Sequence, residues 1–404
     1  MSDKQQENHK KNSNEKQYLK SLFVVASCVS IAGVSMGFTL PLMTLSLDRE
    51  GGSGSLIGLV GSMLGIAIVL YSPLVPACIS FFGMKRYVLI CLLVESLMFI
   101  SLKLFTLPQY WIVIRFVMGM AVAGIFIASE SWINHLARPE NRGRILALFN
   151  ISLGIGFASG PLILIVTGTE SWTPFITGAL IHLVALVPLL FIKNPRMNLE
   201  APSQFSPFAF ILIAPALCAA VVLTAGTETL MGSFFHFYSI RLGHSEDDMH
   251  KMLSIFFIGG IIFQYPIGWL ADHMNIRKLL LILGIICLLC IGIIFQVAQD
   301  ILLLKIMLFC WGGIVASIYT TVLTAVGQEY RDSDLIAANT SFGFLWGIGG
   351  LMPLIGGQAT EYFNRNGLLY AALILTLVFI FLMAFSLRRP SSQNNRYPKS
   401  SNYP

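Results

Sequence analysis

A carboxylic acid inside an apolar run is costly to keep ionised, so it can serve as a site that takes up and releases a proton. Glu228 has this setting in TAGTETLMG (224–232), with Gly226 and Gly232 on either side. Glycines so placed allow a membrane helix to bend or break. Glu228 is therefore the first candidate for substrate or proton binding; its competing placement is near the outer end of a span that starts late. Glu95 in CLLVESLMFI (91–100) and Arg115 in WIVIRFVMGM (111–120) are the next candidates. They lie on consecutive apolar segments. They are expected to pair structurally, to couple to protons, or to line a cavity. Glu130, in ASESWIN (128–134), lies near the end of its segment and is expected to anchor a gate with nearby arginines. His182 and His236 are single histidines in apolar runs and are expected to be packed and hydrogen-bonded. Lys305, near the end of its run, is expected to snorkel to the interface.

The elements that hold these groups are dictated by composition. The chain has 404 residues, of which 55% are hydrophobic and only 11% charged. Soluble domains carry about 25% charged residues. Apolar runs of roughly 20 residues match a hydrocarbon core of about 30 Å, and each must be a helix to pair its own backbone. The expected class is therefore an all-α integral membrane protein, with twelve transmembrane helices in two pseudo-symmetric six-helix halves. The spans fall near 19–45, 55–81, 86–106, 108–135, 145–168, 172–193, 208–239, 251–271, 277–297, 300–327, 335–358 and 366–388. The predicted organisation is a disordered cytoplasmic tail at 1–18, an N-terminal half at 19–193, a cytoplasmic linker at 194–207, a C-terminal half at 208–388 and a disordered cytoplasmic tail at 389–404. The seven cysteines lie in or beside the apolar runs, as small packing residues do. No disulfide framework, metal site or cofactor is expected.

Basic loop residues set orientation in a membrane. With the N-terminus cytoplasmic, nineteen of the 26 Lys and Arg fall on the inner side, five on the outer side and two within spans. Both termini are thus expected in the cytoplasm. The loop after the second span, PACISFFGMKR (76–86), and the loop after the eighth, GWLADHMNIRK (268–278), lie about 192 residues apart and both end in paired basic residues. Two parallel six-helix repeats are one known transporter architecture.

At these residues the chain resembles the major facilitator superfamily, over about residues 20–388. Gly268, Asp272, Arg277 and Lys278 fit the family's G-x-L-a-D-x-x-x-x-R-K loop. The first-half copy keeps Gly83, Lys85 and Arg86, but has Pro76 and Ser80 where Gly and an acid are usual. Arg115 followed by Gly119 and Gly124 resembles the fourth-helix motif. Gly156, Gly160 and Pro161 resemble the fifth-helix motif typical of antiporters. The resemblance implies a cytoplasmic gate in which Asp272 meets Arg277 and Arg142 or Arg144, with Gly268 allowing close backbone approach. Lys85 and Arg86 would meet Asp332 and Asp334 in the symmetric position.

The function these features imply is secondary active transport of a small solute across a bacterial inner membrane by alternating access. Proton-coupled antiport and export is the leading form, and proton-coupled movement of an organic-acid metabolite or siderophore is the alternative. A membrane sensor on the same fold is the alternative of another class. There is no G-x-x-x-x-G-K-[ST] phosphate loop and no paired catalytic acids, so neither ATP drive nor enzyme activity is expected. The expected partners are the solute, protons and the lipid bilayer, with no nucleic acid. The chain is expected to be a monomer.

Overall fold

Backbone groups in a bilayer are satisfied within one helix, and every described crossing of this chain is helical. The computed structural model describes residues 3–136, 142–192, 211–329 and 332–388. Helix α1 covers Asp3–Arg49, α2 Gly54–Tyr71, α3 Val75–Phe82, α4 Met84–Leu104, α5 Pro108–Leu136, α6 Arg142–Thr167 and α7 Thr173–Leu190. In the second half α8 covers Pro215–Ile240, α9 Glu246–His273, α10 Ile276–Val297, α11 Ile301–Glu329, α12 Asp332–Gly349, α13 Met352–Phe363 and α14 Gly367–Arg388. Eleven segments are long and apolar enough to cross a membrane. The last of them, Ser341–Leu387, folds back at Asn364–Asn366 and so contains two legs. Twelve crossings result.

Three boundaries differ from expectation, each for a local reason. Residues 3–18 were expected to be disordered, yet α1 runs unbroken from Asp3; Lys, Glu and Gln are good helix formers when a helix is already nucleated beside them. The second crossing is broken into α2 and α3 by a 3-10 turn at Ser72–Leu74, where Pro73 and Pro76 remove backbone donors. The eleventh breaks before Pro353 into α12 and α13. Gly83, between α3 and α4, has φ of 79°, a left-handed conformation that glycine adopts at little cost. The linker at 194–207 and the tail at 389–404 lie outside the described residues.

Burial separates central from peripheral helices. The apolar windows of the first and seventh crossings are 72% and 83% buried, against 39–44% for those of α4, α7 and α10. The peripheral helices carry large exposed apolar side chains such as Leu97, Val184 and Leu289, as a lipid-facing surface requires, while their buried faces also hold polar groups, Glu95 on α4 and His182 on α7. Within the N-terminal half α1 packs on α6 through glycine. Between the halves, α2 packs on α13 and α6 on α9.

Candidate functional site

Glu228 lies at the middle of α8, a helix whose neighbouring positions are almost all buried, yet its own side chain is partly exposed. On a central helix such exposure points to an internal space and not to lipid. Gly226 and Gly232 do not break the helix. They admit Met352 and Leu375 at one position and Leu40 at the other. Glu130 of α5 and Tyr319 of α11 are partly exposed as well. Tyr319 lies within electrostatic reach of both Glu130 and Glu228, one carboxyl group from each half. Phe342 of α12 packs against the Tyr319 ring at 6.3 Å between centroids, and Phe126, one turn before Glu130, packs on Phe149 at 5.8 Å. The sequence favours Glu130 as a gate anchor over a solute-binding group, and it does not single out Tyr319. Its signal was faint: one phenol in the long apolar run of α11.

Glu95 and Arg115 form a different site. Both are fully buried inside the N-terminal half, where no solute reaches them in this conformation. They interact electrostatically. Ser35 of α1 donates to Glu95 Oε2 at 2.7 Å, and His182 Nε2 of α7 lies 3.7 Å from the same oxygen. His182 is packed and hydrogen-bonded as expected, its Nδ1 lying 2.7 Å from the Gly178 carbonyl oxygen. His236 lies 3.9 Å from Asp48, and Lys305 pairs with Asp248 at 3.6 Å.

The gate residues fall on the face that carries the termini. Asp272 and Lys278 are exposed there. Arg277 donates to Ser386 of α14 at 3.5 Å. Gly268, expected to allow close backbone approach, has no described residue within 4 Å of a Cβ built on it. The side chains of Arg142, Arg144, Asp332 and Asp334 lie outside the described residues. Lys85 donates to the carbonyls of Leu190 and Ile192 at 3.1 and 2.8 Å, so it caps the end of α7 within its own half. Arg86 is exposed. In the helix-packing motif, Gly119 of α5 faces Ala67 and Leu64 of α2. Gly156 and Gly160 of α6 face Ser30, Gly33 and Gly37 of α1. Pro161 follows inside α6.

The described contacts between the halves lie from mid-bundle to the opposite face. Arg49 at the end of α1 pairs with Glu246 at the start of α9 and lies 3.6 Å from Glu170. Thr169 donates to Glu246 at 3.3 Å, and the Ser55 amide donates to Glu361 at 2.8 Å. Phe157 of α6 packs on Phe257 of α9 at 5.1 Å. An open recess of about 450 Å³ beside Asp48, Arg241 and Glu361 lies at this closed end. The ion pairs here are partly exposed, and such pairs contribute about 0.2–1 kcal/mol. Glu246→Gln is therefore expected to raise opening of this face only a few-fold, read as the labelling rate of a cysteine placed beneath it. An unchanged rate would mean that the pair holds nothing closed.

Comparison with known proteins agrees with this geometry. The sequence model of the Major Facilitator Superfamily matches residues 25–350 and 216–402. The uncharacterized MFS-type transporter YfkF of Bacillus subtilis (strain 168) is 28% identical, over 92% of this chain and 96% of its own. The uncharacterized MFS-type transporter Ent638_1421 of Enterobacter sp. (strain 638) is 24% identical, over 81% and 85%. Among solved structures, the nucleoside transporter NupG superposes with a TM-score of 0.73 at 17% identity, covering 93% of this chain and 100% of that one. At that identity the likeness is one of fold.

Proposed function

Because the chain belongs to the Major Facilitator Superfamily, we propose that it exports a cationic or amphipathic amine from the cytoplasm by exchange for protons, at the site formed by Glu130, Tyr319 and Glu228. The observation that carries this reading is that one carboxyl group from each half lies within electrostatic reach of a single, partly exposed phenol. A carboxyl group in an apolar interior is costly to leave ionised and unpaired, so each of the two is suited to hold either a proton or a cation. Movement of the halves alters their separation, and the bound species changes with it. Phe126, one turn before Glu130, and Phe342, packed on Tyr319, place aromatic rings beside these groups, and such rings favour an organic cation over a bare ion.

Orientation is read from the loops. The face with the termini carries most of the Lys and Arg, which assigns it to the cytoplasm, and the described contacts close the other face. Arg277, Lys278, Asp272 and Gly268 then belong to the inner gate, which closes when the outer face opens. The test is solute-driven proton movement in proteoliposomes across a panel of organic cations, anions and neutral solutes. Wild type is expected to move protons against a cationic solute, and Glu228→Gln to cut that flux at least about tenfold, a loss of about 1.4 kcal/mol. Solute movement indifferent to the pH gradient would remove the antiport reading.

A further inference from the structure

We propose that Glu95 and His182 form a second proton-binding site, buried in the N-terminal half and separate from the Glu130–Tyr319–Glu228 cavity. The argument begins with a tautomer. His182 Nδ1 lies 2.7 Å from the Gly178 carbonyl oxygen one turn back on α7. A carbonyl only accepts, so Nδ1 carries a hydrogen. Nε2 is then either a lone pair or a second N–H. It points at Glu95 Oε2, 3.7 Å away, and has no hydrogen-bond partner among the described residues. An ionised carboxylate facing an imidazole lone pair in a dry interior is unfavourable. One proton between the two groups resolves it, held as imidazolium beside carboxylate or as carboxylic acid beside imidazole. Both side chains have no solvent exposure, and a small rotation closes 3.7 Å to a hydrogen bond.

The surrounding groups fix the charge balance. Arg115 of α5 contributes a permanent cation, fully buried, with none of its nitrogens bonded to a described acceptor. Ser35 of α1 contributes an uncharged donor to Glu95, and Cys91 lies one turn earlier on α4 within electrostatic reach of the carboxyl. Phe99 packs on the His182 ring at 5.2 Å and on Phe38 at 5.7 Å, completing an apolar cage. With the shared proton the cluster carries one net positive charge. Without it, Arg115 and Glu95 cancel. Taking up the proton therefore charges the interior of the half, and releasing it neutralises that interior. The site spans four helices, α1, α4, α5 and α7, and α1 is the one that also bears Arg49 of the outer closure.

The probe is the proton itself, read by infrared difference spectra of the full chain in lipid nanodiscs between about pH 5 and 8. Wild type is expected to show a carboxyl band that Glu95→Gln removes and whose midpoint His182→Asn moves by at least about one pH unit. Glu228→Gln and Glu130→Gln are expected to leave that band in place. Should either core variant fail to fold, Ser35→Ala keeps both titrating groups and is expected to shift the same midpoint. A titrating carboxyl band insensitive to His182→Asn and Ser35→Ala, or no band assignable to Glu95, overturns the proposal. The cavity reading is judged separately by the Glu228→Gln band and flux, so the two can fail independently.

Discussion

Gly156→Val is expected to stop the protein accumulating as a folded species. A Cβ at position 156 would lie 2.0 Å from the Ser30 carbonyl oxygen and 2.9 Å from the Gly33 Cα. The contact is reciprocal. A Cβ on Gly33 would meet the Leu153 oxygen at 2.4 Å, and one on Gly37 would meet the Phe157 oxygen at 2.3 Å. Helices α1 and α6 therefore touch backbone to backbone along their middle turns. In a bilayer no hydrophobic gain drives helices together, so close packing and weak Cα–H···O contacts supply the association. Overpacking a core costs about 1–3 kcal/mol when side chains can turn aside. Here the obstacle is backbone, which cannot rotate away, so the cost is expected at or above about 3 kcal/mol. That is about a hundredfold in the folded-to-unfolded ratio. The measurement is the monodisperse yield and melting temperature of the detergent-solubilised protein. Gly268→Ala and Gly343→Ala serve as comparisons, since neither Cβ would have a neighbour within 4 Å. Wild-type melting in Gly156→Val would contradict the α1–α6 contact as described.

The sequence carried the crossings because hydropathy is a property of single segments, and the bilayer makes each segment a helix whatever its neighbours do. It carried the glycines of α6 for a related reason: small residues at helical spacing mark a close approach, although they do not say to which helix. The breaks at Pro73 and Pro353 were less visible, since a window average runs across them, and only the lost backbone donors end the helix there. What failed to appear was partnership. His182 and Glu95 lie on α7 and α4, and nothing in either run states that the two faces meet. The same holds for Glu130, Glu228 and Tyr319, which come from three helices in two halves. Conformation was also out of reach. Gly268 belongs to a motif that implies tight packing, yet no described residue lies within 4 Å of a Cβ built on it in this state.

Gly58→Val uses the same steric conflict at a different kind of contact, and its outcome is expected to be of a different kind. A Cβ on Gly58 of α2 would lie 2.3 Å from the Pro353 carbonyl oxygen, and one on Gly357 of α13 would lie 2.3 Å from the Gly54 oxygen. Gly65 similarly faces Gly350 and Gly347. Ser62 bridges the same seam, donating to the Leu351 oxygen at 3.3 Å and accepting from the Leu354 amide at 3.1 Å. These contacts join the two halves and are the ones that must part when the outer face opens. A valine there strains the closed state alone, while each half keeps its own core. A penalty of about 3 kcal/mol moves the equilibrium about a hundredfold toward the outward-open state, against the roughly 5.5 kcal/mol that a full reversal from 1:99 to 99:1 requires. Transport is expected to fall by about the same hundredfold if closure of this face precedes release inside, with melting temperature little changed. Ser233, which lies against Gly61 in the closed seam, provides the readout. In a background without native cysteines, Ser233→Cys is expected to react with an impermeant thiol reagent from outside only when Gly58→Val is present. Labelling and transport both at wild-type levels would sink the idea. Equal unfolding of Gly58→Val and Gly156→Val would show that the seam between the halves is part of the folded core and not a moving joint.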